Sequence, residues 1–192
     1  MFIETETTPN PEVLSFRPHI DGGGFAVPHA LSFTDKKTAA AKSPLAYHLF
    51  TIDGVKEVFL HKDFISIMKK PDQSWARLKP LIVSNIIDHL ARGDKIISSS
   101  DDAKPQKKTI MHNPKDAETV EKIEELIETR IRPAVARDGG NIVLEAYDNG
   151  VVYLSMQGAC SGCPSSTATL KSGIENMLKH FIPEVVEVRQ AL

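Results

Sequence analysis

The sequence predicts an α+β protein: two small α+β domains joined by a flexible linker. Three observations carry that prediction. Apolar residues recur at spacings of three and four in three long stretches, the pattern of helices with one buried face. Between them, shorter runs alternate apolar and polar residues around turns rich in Pro, Asn and Gly, the pattern of half-buried strands. Residues 98–114 (Ser-Ser-Ser-Asp-Asp-Ala-Lys-Pro-Gln-Lys-Lys-Thr-Ile-Met-His-Asn-Pro) are polar, charged and broken by prolines, which is a linker composition. The expected domains are therefore 1–97 and 115–192, with the linker over 98–114.

Taken in order, Phe2–Thr7 and Glu12–Arg17 read as strands around the Pro9-Asn10-Pro11 turn, and Asp21-Gly22-Gly23-Gly24 as a sharp loop. A helix is expected over Lys42–Phe50, with Pro44 in its first turn, where a missing N–H is harmless. Asp53-Gly54 leads into Val55–His61 and Phe64–Lys70, a hairpin by alternation. Gln73–Arg92 reads as an amphipathic helix with Trp75, Leu78, Ile82, Ile86 and Leu90 on its core stripe, and Gly93 suits the position after its end.

In the second half, Lys115–Arg137 reads as a helix with Val120, Ile123, Ile127, Ile131 and Val135 on one face, and Pro133 is expected to bend or loosen its last turns. Asp138-Gly139-Gly140 ends it. Asn141–Tyr147, with Ile142, Leu144 and Ala146 inward, and Val151–Met156 form a hairpin. Asn149-Gly150 between them is a strong type I′ signal. Ser165–Phe181 is the second helix, with Leu170, Ile174, Leu178 and Phe181 inward. Pro183 stops it, and Val185–Arg189 is the last strand. The order α-β-β-α-β implies a three-stranded sheet covered by helices on one face.

The chain has 192 residues, 41% of them hydrophobic, and a net charge of −2. Residues 115–192 hold 8 Lys and Arg against 12 Asp and Glu, a net of −4, which leaves +2 for residues 1–114. Neither value draws the chain to nucleic acid or an anionic membrane, and no stretch approaches the ~20 apolar residues of a membrane span. Met1-Phe2-Ile3-Glu4-Thr5-Glu6 resembles neither a signal nor a transit peptide. A bacterial cytoplasm is the expected compartment, with the mitochondrial matrix as the alternative.

Chemistry concentrates on the two cysteines, Cys160 and Cys163, in Cys160-Ser161-Gly162-Cys163-Pro164. Two thiolates at this spacing grip a soft metal or cluster, or close a redox disulfide, but they are half of a four-thiolate shell. Gly158 and Gly162 permit close backbone approach. The helix beginning near Pro164 favours thiolate, so the pKa of Cys163 in particular is expected to be lowered. Small neighbours (Ser161, Ser165, Ser166, Thr167) suggest a site open to solvent. By spacing alone, an iron–sulfur site shared between protomers, a zinc site, a redox dithiol and two incidental cysteines all remain open.

Residues 137–164, Arg-Asp-Gly-Gly-Asn-Ile-Val-Leu … Leu-Ser-Met-Gln-Gly-Ala-Cys-Ser-Gly-Cys-Pro, followed by Ser165-Ser166-Thr167-Ala168-Thr169-Leu170-Lys171, resemble the C-terminal module of the NifU/Nfu family over about residues 115–192. The first half is similar to that family's N-terminal domain at Thr8-Pro9-Asn10-Pro11 with Leu14 and Phe16, Ser43-Pro44-Leu45-Ala46 through Gly54-Val55, Asp63-Phe64-Ile65, Trp75 and Leu78-Lys79-Pro80. The resemblance implies a non-enzymatic iron–sulfur scaffold or carrier, with Cys160 and Cys163 of two protomers holding one [4Fe–4S] cluster. It also implies upstream scaffold donors, recipients such as aconitase-type or radical enzymes, and a homodimer. The first half, which lacks cysteine, would dock these partners. A dithiol redox protein and a zinc-binding interaction module are the alternatives.

Other signals read as structural. Gly22-Gly23-Gly24 lacks the Gly-Lys-Ser/Thr of a phosphate loop. The seven histidines (His19, His29, His48, His61, His89, His112, His180) show no paired metal spacing. The acidic run Glu118, Glu121, Glu124, Glu125 and Glu128 reads as a solvated helix face. Asp138 reads as a turn residue, and Trp75 as core.

Overall fold

In the computed structural model, which describes residues 1–20, 27–98, 110–161 and 164–191 (backbone alone for 164–167), the chain divides into two units, Met1–Gln106 and Lys107–Leu192. The structure is α+β in both.

In the first unit, β1 (Phe2–Thr7) and β2 (Val13–His19) pair antiparallel. Their turn is held by Asn10, whose side-chain oxygen accepts from the Glu12 N–H at 3.0 Å. With β3 (Leu31–Phe33), β4 (Val55–Leu60) and β5 (Ile65–Lys69) they form a five-stranded sheet in the order β1-β2-β5-β4-β3. The helix expected over Lys42–Phe50 is instead two, α1 (Lys36–Lys42) and α2 (Pro44–Leu49). Ser43 separates them because a residue before proline is driven out of the helical region, and here it sits at φ −146°, ψ 107°. Its hydroxyl then caps α2, accepting from Ala46 N–H at 3.1 Å and donating to the Ile96 carbonyl at 2.6 Å.

Helix α3 (Trp75–Ala91) lays Leu78, Ile82 and Ile86 on the sheet residues Leu14, Phe16, Val58, Leu60, Ile65 and Ile67. Two stripe residues depart from expectation. Leu90 is only half-buried, and His89 beside it is fully buried. Trp75 is half-buried at the helix entrance, where its indole N–H reaches the Pro11 carbonyl at 3.0 Å, because a tryptophan edge needs an acceptor. Gly93, at φ +70°, follows the helix as expected. The Asp21–Gly24 loop and residues 99–109 of the expected linker lie outside the described residues. The linker's ends are held: Ser98 N–H donates to the Lys42 carbonyl at 2.8 Å, and Met111 bridges to Ala146.

In the second unit, α4 (Ala117–Leu126), a π turn (Ile127–Ile131) and α5 (Arg132–Arg137) run end to end. Pro133 acts one turn earlier than a simple bend. It has no N–H to give the preceding turn, and that turn widens, the Arg132 N–H reaching back to the Ile127 carbonyl. Strands β6 (Gly140–Asp148) and β7 (Val151–Gly158) form the expected hairpin, with Asn149 at φ 47° and Gly150 at φ 85° as the type I′ turn demands. A bulge between Leu144 and Ala146 shifts the alternation, so Tyr147 points into the core in place of the expected Ala146.

Helix α6 (Pro164–Phe181) leads to β8 (Glu187–Gln190), parallel to β7. The last strand starts two residues later than expected, because Val185 and Val186 make the turn around Gly150. Ile174 and Leu178 are buried and Leu170 partly so. Phe181, expected inward, is 48% exposed.

Candidate metal centre

The hairpin carries its working end opposite the type I′ turn. There β6 begins where α5 stops. Gly139 takes φ +75°, a conformation that glycine adopts without steric cost. Its carbonyl accepts from the Ala159 N–H at 3.1 Å, which extends the β6–β7 ladder one step past the Gly140–Gly158 pair. Gly158, at φ +64°, turns the chain out of β7. Ser161 closes that turn, its N–H and hydroxyl both donating to the Gly158 carbonyl at 3.0 and 2.8 Å. On the adjoining rung, the Asn141 amide donates to Gln157 Oε1 at 3.1 Å.

Cys160 is thereby carried inward against β6. It is 6% exposed and joins the core cluster of Ile142, Leu144, Leu154 and Met156. A Cβ placed on Gly140 would lie 2.3 Å from Cys160 Sγ, so the absent methyl is the space the sulfur uses. The open, solvent-facing ligand expected from the small neighbours is not found at Cys160. Nor is its thiol acidic. Burial, and then the nearby Asp138 carboxylate, push it up to about 12, because a buried thiolate loses its hydration. Cys163, and the lowered pKa expected there, lie outside the described residues.

Among the described residues, no three His, Cys, Asp or Glu side chains converge as metal ligands. A closed four-ligand zinc site within one chain would need two donors beyond the cysteines, and that set is not assembled among them. The soft sulfur suits a thiophilic metal or cluster, and Gly140 leaves the space in which that sulfur sits. Coordination would cost Cys160 its proton.

The sequence singled out Cys160 but not Gly140, the residue packed against its sulfur. The signal was present in the double glycine: Gly139 alone takes the left-handed conformation, so Gly140 is glycine for space. The acidic run is exposed on α4 and the π turn, as expected, with Glu118 and Glu128 paired to Lys122 and Arg132. Asp138 is the turn residue foreseen, its N–H donating to the Val135 carbonyl at 3.1 Å, but it also acts electrostatically on Cys160.

Residues 3–93 match the N-terminal domain of the scaffold protein Nfu/NifU, and residues 123–189 match the NifU-like domain. The chain belongs to the NifU/Nfu family. It is 47% identical over 195 residues to the mitochondrial NFU1 iron-sulfur cluster scaffold homolog of Drosophila simulans, covering 99% of this chain and 65% of that protein. It is 46% identical over 195 residues to the mitochondrial NifU-like protein 4 of Arabidopsis thaliana, covering 99% and 66%. This NifU/Nfu chain thus spans about 65% of the length of the curated relatives it matches. A solution structure of a NifU-like protein from Saccharomyces cerevisiae aligns at 28% identity over 52% of this chain and 86% of its own, with a TM-score of 0.42.

Proposed function

We propose that this NifU/Nfu chain carries an iron–sulfur cluster as cargo. Cys160 and Cys163 of two copies supply four thiolates to one [4Fe–4S] cluster, and the cluster passes to apo-proteins by thiolate exchange. At each handover an iron–sulfur bond to a recipient cysteine forms as one to Cys160 or Cys163 breaks. The observation that carries this reading is the half-complete donor set: two thiols, with no further converging ligands among the described residues. The relatives' names as iron–sulfur cluster scaffolds support it, and they favour a non-catalytic role.

Because Cys160 holds its proton tightly, uptake releases protons and loading rises with pH. The same property makes Cys160 a poor attacking nucleophile near neutrality, so in the dithiol alternative the attack would fall to Cys163. The domains are assigned as 1–97 for docking donors and recipients such as aconitase-type or radical enzymes, 98–114 as linker and 115–192 as the cluster carrier. The mitochondrial labels of the relatives favour the matrix over the bacterial cytoplasm that the sequence suggested.

Anaerobic reconstitution, with iron and sulfide assays and native mass, tests the proposal. The expected product is a dimer with about two irons and two sulfides per chain. The Cys160→Ser, Cys163→Ser double variant should take up none. A full cubane on that variant, four irons on a monomer or a stable zinc-only form would overturn the reading.

A further inference from the structure

We infer that the groove between the π turn and the end of α6 docks a partner segment that presents a carboxylate beside a large apolar side chain. The groove is open to solvent and has a volume of about 250 Å³. Buried Leu126 and Ile182 lie within its lining, with the exposed ring of Phe181. That ring is the residue the helical stripe places in the core and the structure places outside it.

Arg130, on the π turn, lays its guanidinium over this ring, with the central carbon 4.6 Å from the ring centroid. A guanidinium held by its face keeps its in-plane N–H donors available, and those donors match a carboxylate in a fork. Among the described residues, none of the Arg130 donors meets an acceptor. Lys122, Arg132, Lys179 and Arg189, by contrast, are each paired with a carboxylate. The fork is thus positioned and unused beside an apolar surface.

Charge sets the sign of the occupant. Of the two cations in the lining, Lys122 is already held by Glu118, so the guanidinium of Arg130, unpaired among the described residues, is the group that selects a carboxylate. A π turn at such a spot is itself a recurrent feature of functional sites. The inference does not depend on cluster chemistry.

The test titrates the ¹⁵N-labelled full chain with the synthetic peptide acetyl-Glu-Leu-Phe-Glu-Asp-Leu-amide. Saturable shifts are expected at the amides of Leu126, Arg130, Phe181 and Ile182. An analogue with Gln and Asn in place of the acids should bind at least about five-fold more weakly, since charge-assisted bonds are lost. Arg130→Gln and Phe181→Ala, both at exposed positions, should weaken binding by a similar factor and leave the unfolding midpoint in place. The Cys160→Ser, Cys163→Ser variant should bind the peptide as the native chain does, which separates this inference from the cluster reading. Absence of saturable shifts at the groove, equal affinity for the neutral analogue or full affinity in Arg130→Gln would overturn it. So would concentration-dependent shifts of these amides without peptide, which would assign the groove to a second copy.

Discussion

The N-terminal unit buries His89 completely, and the C-terminal unit buries Cys160 to 6% exposure, yet the two burials do different things. His89 sits on the core side of α3, its Nε2 against the Lys95 carbonyl at 3.2 Å and its ring edge-on to His48 at 5.7 Å. Burial holds its pKa below the ordinary histidine range, so the neutral ring serves as packing. Cys160 is held against Gly140 at the end of a hairpin, three residues before the second thiol in the sequence, and its burial stores a proton that metal binding would have to release. One unit uses an ionisable group as filler; in the other the buried group is the one proposed as a ligand. Their stabilities should therefore respond to pH in opposite directions.

The largest expected effect lies on the alkaline side of the C-terminal unit. The Cys160 thiol is raised from about 9 to about 12 by folding, so its contribution is complete below pH 9 and disappears as pH rises toward 12. Three pH units at about 1.4 kcal/mol each set an upper bound of roughly 4 kcal/mol. Tyr147, also raised by burial, adds in the same direction. Urea midpoints followed on the methyl signals of Leu154 and Val188 should fall across this window, and Cys160→Ala should flatten most of the fall.

The N-terminal unit should instead weaken as pH drops below about 6.5, where unfolded His89 takes up a proton that the folded ring resists. Trp75, the only tryptophan, reports that transition by fluorescence. His89→Gln should remove the acid sensitivity. An acid-stable N-terminal unit would end the contrast.

The two ends of the β6–β7 hairpin sharpen the same distinction. At Gly150 a methyl group would face φ +85° and a contact of 2.7 Å with Val186 Cγ2. Gly150→Ala should cost about 2–4 kcal/mol of stability, with cluster loading per folded chain unchanged. At Gly140 the backbone is unstrained and the methyl meets the Cys160 sulfur. Gly140→Ala should cost about 1–3 kcal/mol and, in addition, cut loading by at least about ten-fold, because the sulfur proposed as a ligand is displaced. Thermal melts paired with iron assays separate the two outcomes. Equal loading in both variants would refute a role for Gly140 in placing the thiol. In the N-terminal unit, Ser43→Ala removes a cap and leaves the Ile96 carbonyl unpaired. About 1–3 kcal/mol should disappear from the Trp75 transition, with loading intact.

Legibility followed the same divide between local and non-local causes. The strands, α3 and the hairpin turn could be read because period and turn chemistry are written into adjacent residues: Asn149-Gly150 admits few alternatives. Helix α1 could not, since Lys-Lys-Thr-Ala-Ala-Ala-Lys has no apolar stripe and buries only Ala39. Its one local signal was the Asp35 cap, whose carboxylate accepts from Thr38 N–H at 2.8 Å. Tyr147 was misplaced because a bulge inverts alternation without altering composition. At the site, the identity of Cys160 was legible from the motif. Its burial was not, because the sulfur's neighbour, Gly140, lies 20 residues earlier in the chain.

The smallest effect tests that non-local field directly. Asp138 ranks after burial among the causes that raise the Cys160 thiol, and it reaches the sulfur through the turn that Gly139 makes. In a Cys163→Ser background, Asp138→Asn keeps the turn's size and hydrogen-bonding ability but removes the charge. The thiol pKa should fall from about 12, and alkylation by iodoacetamide near pH 9 should quicken by about two- to five-fold as the thiolate fraction grows. Burial, the dominant cause, is untouched, so the thiol should remain well above an exposed cysteine. A rate that matches free cysteine would mean that the turn had opened, and amide shifts at Gly140 and Ala159 would reveal it. An unchanged rate would mean that the carboxylate is screened from the sulfur, leaving burial alone to hold the proton that distinguishes this unit from its neighbour.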